Sequence, residues 1–255
     1  MLFGGNMTYS IALAGKGGTG KTTMAGLLVK YLVEKGKTPV LAVDADANAN
    51  LNEVLGLEVQ DTLGDAREQM KKEVSIGMTK DMFMEMKIQE AIVETAGYDL
   101  IVMGRPEGAG CYCAANTLLT LFLDKLIDNY RFVVIDNEAG MEHISRLTTN
   151  NVDVLLVVSD PTRRGIQAAR RIIDLADNLG LNIGRKMLIV NQAREDQRQM
   201  IEKAVKEFNM DFTGIVPEDP DIQDFDLNGR PTIELLNDNQ AVTAAFKIFD
   251  GILEN

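Results

Sequence analysis

The sequence predicts an α/β fold in which a mostly parallel central sheet is flanked by helices on both faces. Two observations carry this. Short apolar runs alternate along the chain with segments of helical periodicity, as strand–helix–strand crossovers require. The runs are nearly all apolar rather than alternating, as strands covered on both faces should be. A length of 255 residues is normal for a single sheet protein of this class.

The elements follow in order. Ser10-Ile11-Ala12-Leu13-Ala14 places the first strand at 9–14, and a helix over 21–35 follows, closed by Gly36, a suitable C-cap. Further strands are expected at 39–43, 99–103, 131–135, 153–159, 187–190 and 212–216. Helices are expected at 114–128, 141–150, 165–179, 195–208 and 239–253. Residues 57–98 stand apart and read as helical and mobile. They hold Met70, Met78, Met82, Met84 and Met86, and Met78, Met82 and Met86 share one helical face. Such a stripe is most often core packing; the alternatives are a plastic partner surface or a soft thioether site. With no repeat, low-complexity tract or long linker, residues 7–255 read as one domain. Residues 1–6 precede a second methionine, Met7, and read as an extension or an upstream start.

The formal charge is −12, from 26 Lys and Arg against 38 Asp and Glu. Such a field repels phosphate backbones and anionic lipid, so neither nucleic acid nor membrane is an expected partner. No apolar run approaches the length needed to span a bilayer. The two cysteines lie too close in sequence to close a useful loop, which suits a reducing, cytoplasmic setting in which thiols do chemistry.

The nine residues Gly15-Lys16-Gly17-Gly18-Thr19-Gly20-Lys21-Thr22-Thr23 satisfy the G-x-x-x-x-G-K-[ST] pattern of a P-loop, with an apolar strand before and a helical pattern after. Glycines let backbone N–H groups wrap a polyphosphate, and the helix N-terminus adds positive potential. Lys21 would neutralise β/γ-phosphate charge and Thr22 would sit on Mg²⁺. The expectation is a P-loop NTPase.

Other strand ends supply candidate parts. Asp44 and Asp46 follow the second strand, where one of them can orient water or hold a metal-bound water; a solvated acidic loop is the bland alternative. Phe132-Val133-Val134-Ile135-Asp136 has the shape of a magnesium-coordinating Walker B strand, although an aspartate there can also merely cap a helix. Asn137-Glu138-Ala139-Gly140 would then form a turn able to sense the γ-phosphate. His143, the single histidine, reads as structural or switch-supporting before metal-binding. Asn191 can read a base edge or be a plain turn residue, and Pro217 and Glu218 can form the other side of a base pocket.

Together these residues resemble the deviant-Walker-A branch of the P-loop ATPases, which includes the nitrogenase iron protein, the Min and Par positioning ATPases and metal-delivery ATPases. The resemblance covers residues 7–255, and Lys16 is its most specific mark. It implies ATP as substrate and a homodimer in which Lys16 reaches the partner's nucleotide. Arginine fingers in that kind of role contribute roughly 10³–10⁵ in rate. It also implies Asp46 as the switch I aspartate, Asp136 as the switch II aspartate, and Asn191 with the Pro217 segment around adenine. Ala47 departs from the pattern, in which a proline commonly follows the switch I aspartate, and is expected to leave that loop freer.

The cysteines narrow the branch. In Gly110-Cys111-Tyr112-Cys113 an extended backbone points both sulfurs the same way, ahead of an amphipathic helix containing Leu118, Leu119, Phe122, Leu123 and Leu126. A helix N-terminus lowers thiol pKa toward the metal-binding thiolate. Two thiolates under-coordinate a metal, and four from two subunits complete an S₄ site; two buried thiols are the alternative. With Ile135-Asp136-Asn137-Glu138-Ala139-Gly140-Met141-Glu142-His143, this pair is similar to the CooC-type nickel-insertion accessory ATPases of carbon monoxide dehydrogenase. That similarity implies a homodimer carrying Ni²⁺ to a nickel enzyme, either carbon monoxide dehydrogenase or acetyl-CoA synthase; Zn²⁺ also fits four thiolates. A [4Fe–4S] electron-transfer ATPase competes, but no cysteine lies near Asp136–Gly140. A positioning ATPase acting on membrane or DNA also competes, against the acidic charge and a final segment, Gln240–Asn255, whose one cation is Lys247.

Overall fold

The computed structural model describes residues 8–72, 79–104, 126, 129–137 and 151–253. Among these, eight strands form one sheet: β1 (Tyr9–Ala14), β2 (Val40–Ala45), β3 (Ile92–Glu94), β4 (Tyr98–Val102), β5 (Phe132–Asn137), β6 (Asn151–Ser159), β7 (Asn182–Ala193) and β8 (Phe212–Pro217). Their order is β3-β4-β2-β5-β1-β6-β7-β8. Every pairing is parallel except β3 with β4. The described helices are α1 (Lys21–Glu34), α2 (Leu51–Leu55), α3 (Leu63–Lys72), α4 (Lys80–Glu90), α5 (Arg163–Asn178), α6 (Arg198–Glu207), α7 (Pro220–Leu227) and α8 (Gln240–Leu253). The expected α/β architecture is the one observed.

Alternate residues of the central strands feed two cores, which explains why the runs are wholly apolar. Ile11, Leu13, Ala42 and Val134 face α1 and α8, meeting Leu28, Tyr31, Val242 and Phe249. Ala12, Ala14, Val43 and Ile135 face the other layer, with Leu63 of α3, Ile88 of α4, Ile173 of α5 and Ile201 of α6. Helix α1 stops where Gly36 takes φ +63°, with Gly36 N–H donating to Val33 O and Lys37 N–H to Leu32 O. This Schellman arrangement satisfies the last carbonyls and turns the chain toward β2.

Several boundaries differ from the sequence expectation, for local reasons. β7 is twelve residues long rather than four, because backbone pairing with β6 begins at Asn182, in a stretch too polar to signal a buried strand. β3 and α2 went unforeseen, being three and five residues long. α7 was also missed, although Asp219 accepting from Asp221 N–H, ahead of Pro220, is a recognisable helix start. The 195–208 segment is a 3₁₀ turn, Glu195–Gln197, followed by α6. The helices expected at 114–128 and 141–150 lie outside the described residues, save for Leu126, which is helical.

The methionine stripe is not core packing where it is described. α4 buries Phe83 and Ile88, and the other side carries Met82 and Met86, 57% and 38% exposed. Met78 lies outside the described residues.

Candidate functional site

The loop from Gly15 to Gly20 leaves the carboxyl end of β1, the central strand, and opens α1. Its glycines are there for space and backbone shape. A Cβ on Gly15 would lie 2.2 Å from Val158 O of β6, so only glycine lets the loop pass so close. Gly18 and Gly20 take φ +79° and +81°, in the left-handed region that glycine reaches without steric cost. Thr19 closes the loop, its hydroxyl donating to Lys16 O at 2.9 Å; Lys21 Nζ donates to the same carbonyl at 3.3 Å. Gly20 occupies the N-cap of α1 and offers no side-chain cap, and the first turn holds no acidic residue. The first N–H groups of α1 therefore point into the loop, the arrangement that binds anions.

Beside this cradle lie three carboxylates. Asp44 and Asp136 are register partners on β2 and β5 and are almost wholly buried. Asp136 is pushed up to about 7, first by burial and further by Asp44 and Asp46, against the Thr22 hydroxyl hydrogen bond and Lys21. Asp44 rises to about 6, again first by burial, opposed by backbone N–H donors. Burial lowers Lys21, with Asp136 and Asp46 pulling the other way. Each group is desolvated; the attraction between Lys21 and Asp136 offsets part of that cost, and the like charges of neighbouring carboxylates add to it.

Asp136 Oδ1 is buried and has no hydrogen-bond partner among the described residues. An orphaned carboxylate oxygen next to a threonine hydroxyl fits a hard cation that prefers oxygen donors, so Asp136 and Thr22 match the requirements of Mg²⁺. Sequence reasoning undervalued Asp44, whose role is architectural. Its Oδ1 accepts from Asp46 N–H at 3.0 Å and its Oδ2 from Leu51 N–H at 2.9 Å, so one carboxylate ties down both ends of the 46–50 loop. Asp46 in turn accepts from Asn48 N–H at 2.8 Å and from Asn48 Nδ2 at 3.0 Å. The loop that Ala47 was expected to leave freer is thus pinned without a proline. The strand-end position of Asp44 was the only available signal.

A cavity of about 740 Å³ opens in front of the loop. Gly17, Gly18, Gly20, Lys21, Thr22, Thr23 and Asp46 line one side, and α2 with the segment from Asp226 to Thr232 lines the other. Nothing in the sequence marked that second wall. Asp136 lies behind the cavity, against Thr22. The Lys16 side chain is exposed at the loop's outer edge. Asn191 meets the loop from behind, Nδ2 donating to Thr19 O at 2.9 Å. Pro217 pairs with Ala193, and Glu218 N–H donates to Ala193 O at 3.1 Å, so the β8 end sits beside the β7 end, but none of Asn191, Pro217 and Glu218 lines the cavity. Cys111, Cys113, His143 and Glu138–Gly140 lie outside the described residues.

This geometry agrees with comparison to known proteins. The family model described as the CobQ/CobB/MinD/ParA nucleotide binding domain matches residues 10–233. The chain belongs to this family of P-loop ATPases. It is 43% identical over 248 residues to an uncharacterised ATP-binding protein of Methanocaldococcus jannaschii, covering 95% of this chain and 98% of that protein. It is 32% identical to the carbon monoxide dehydrogenase accessory protein CooC of Rhodospirillum rubrum, covering 88% of this chain and 89% of CooC. Among solved structures, MinD of Pyrococcus horikoshii complexed with Mg-ADP superposes with a TM-score of 0.73 over 97% of both chains. At 24% identity that likeness speaks for the fold alone.

Proposed function

We propose that this CobQ/CobB/MinD/ParA-family ATPase is a cytoplasmic metallochaperone. Two copies would hold Ni²⁺ through Cys111 and Cys113 of each, and ATP binding and hydrolysis would govern its delivery to a nickel enzyme. The observation that carries the reading is the Cys111-Tyr112-Cys113 pair in a chain 32% identical to CooC along most of its length. Carbon monoxide dehydrogenase or acetyl-CoA synthase would be the recipient, and Zn²⁺ would also suit four thiolates.

The phosphate end of the reaction follows from the cradle. Backbone N–H groups of residues 15–23 hold the triphosphate, and Lys21 neutralises its β/γ charge where burial strengthens the attraction. Thr22 and Asp136 would hold Mg²⁺, which supplies charge neutralisation across the β- and γ-phosphates when bound. Asp46, anchored through Asp44, orients the attacking water. Lys16, exposed at the outer edge, supplies transition-state charge to the nucleotide of a second copy. Asn191, with Pro217 and Glu218 beside it, takes the adenine.

A positioning role is weaker. The apolar residues of α8, Ala241, Val242, Ala245, Ile248, Phe249 and Ile252, are buried against the protein's own core and so are not free to enter a membrane.

The test is metal binding by the wild type and a Cys111→Ser/Cys113→Ser double variant, with and without ATP. We expect the variant to keep ATP binding and lose about one metal per dimer, since the two sites are separate constellations. Nucleotide and metal affinities must shift by the same factor if they are coupled. Equal nickel affinity in both proteins would refute the site, and nickel affinity indifferent to nucleotide would refute the switch.

A further inference from the structure

We infer that Asn191 is a positioning residue for the phosphate loop as well as a reader of the base, so that one amide couples base binding to the shape of the cradle. The inference rests on the ATPase reading and goes beyond it by giving the loop a partner on a distant strand. Asn191 is buried at the end of β7, where Nδ2 donates to Thr19 O at 2.9 Å across 172 residues of sequence. The contact is too tight for anything but glycine beside it. A Cβ on Gly20 would lie 2.3 Å from Asn191 Nδ2.

The strand is shaped to deliver this side chain. Pairing of β7 with β8 slips between Val190 and Ala193, and Gln192 takes φ +57°, so the backbone leaves regular register immediately after Asn191. Irregularities of this kind re-aim a side chain. The bond continues through the loop: Thr19, itself buried, donates its hydroxyl to Lys16 O, which also accepts from Lys21 Nζ. Asn191 therefore connects through two carbonyls to the lysine that meets the β/γ-phosphates.

A carboxamide has two N–H donors and one acceptor oxygen. One hydrogen is committed to Thr19, which leaves one donor and Oδ1 for a purine edge. Removing the amide would strand a buried Thr19 carbonyl, and the loss would fall on the phosphate cradle even when no base is present.

The discriminating probe is Mg²⁺·tripolyphosphate, which has phosphates and no base. Isothermal titration would measure its affinity and that of Mg²⁺·ATP for the wild type, for Asn191→Ala and for Asn191→Leu. The leucine keeps the branched shape, adds no charge and lacks the donor. We expect tripolyphosphate to bind about tenfold more weakly to both variants, as loss of one buried hydrogen bond implies, and ATP to lose more. A purely structural role would lower the melting temperature and leave tripolyphosphate affinity of the folded protein unmoved. Unmoved tripolyphosphate affinity in whichever variant folds, beside a wild type that binds both ligands, would overturn the inference alone. A wild type that binds neither would overturn the ATPase reading and the inference together.

Discussion

Replacing Asp136 with asparagine should stabilise the ligand-free protein at alkaline pH while abolishing its catalytic competence. An ordinary aspartate titrates near 3.8, and burial carries Asp136 to about 7. The native state therefore holds this proton more tightly than the unfolded chain does. Stability is highest below the unfolded value and falls as pH climbs from about 4 to about 7. Taken whole, that displacement is worth roughly 4 kcal/mol above neutrality, of which roughly 2–3 kcal/mol accrues between about pH 5 and about pH 8. Asparagine never ionises, so it escapes the loss. It gives back part of the gain because its N–H₂ must find acceptors beside Thr22 and Lys21, which leaves about 2 kcal/mol, or a Tm about 5 °C higher at about pH 8. The assay is urea and thermal denaturation of both proteins without nucleotide and with EDTA, at both pH values. A wild type equally stable at the two, or a variant that gains nothing at the higher one, would refute the claim that ionised Asp136 is buried at a cost.

Two further predictions concern the loop. Gly15→Ala should lower stability by about 3 kcal/mol or more, because the new Cβ meets the Val158 carbonyl of a central strand that cannot move aside; denaturation midpoints check this. Lys16→Ala should leave the fold and ATP affinity within about twofold of wild type, since its side chain is exposed and only its carbonyl is used within the loop. It should lower turnover by about 10³ if the lysine acts in trans, and steady-state ATPase rates that fall less than about tenfold would rule that out.

The sheet was legible because the middles of β1, β2, β5 and β6 are buried on both sides and carry short apolar runs. The outer half of β7 was not, since residues such as Arg185 belong there for another reason: its guanidinium donates to Tyr9 Oη and Ile252 O. The shape of the 15–20 loop was legible because backbone conformation and close approach dictate glycine at fixed spacing. Its supports were not. Nothing in the sequence connects Asn191 to Thr19, and nothing distinguishes Asp44, which braces a loop, from Asp46, which the loop presents. Those roles arise from pairings between distant strands. Composition and periodicity carry no trace of them.

Buried charge also explains why such a site can act as a switch. Asp44, Asp136 and Lys21 are all desolvated, and burial leaves the two carboxyls raised and the lysine lowered, the attraction between Lys21 and Asp136 offsetting only part of it. The ligand-free cradle is thus held in a state its own electrostatics oppose, with Asp136 Oδ1 lacking a partner among the described residues. A polyphosphate with its cation, held as proposed, would bring a positive centre to the carboxylates and negative oxygens to Lys21, and so would relieve both at once. Binding energy released this way is available only when cation and phosphate arrive together. The elements tied to those carboxylates, the 46–50 loop through Asp44 and the end of β5 through Asp136, are the ones that feel the difference between the occupied and the empty site.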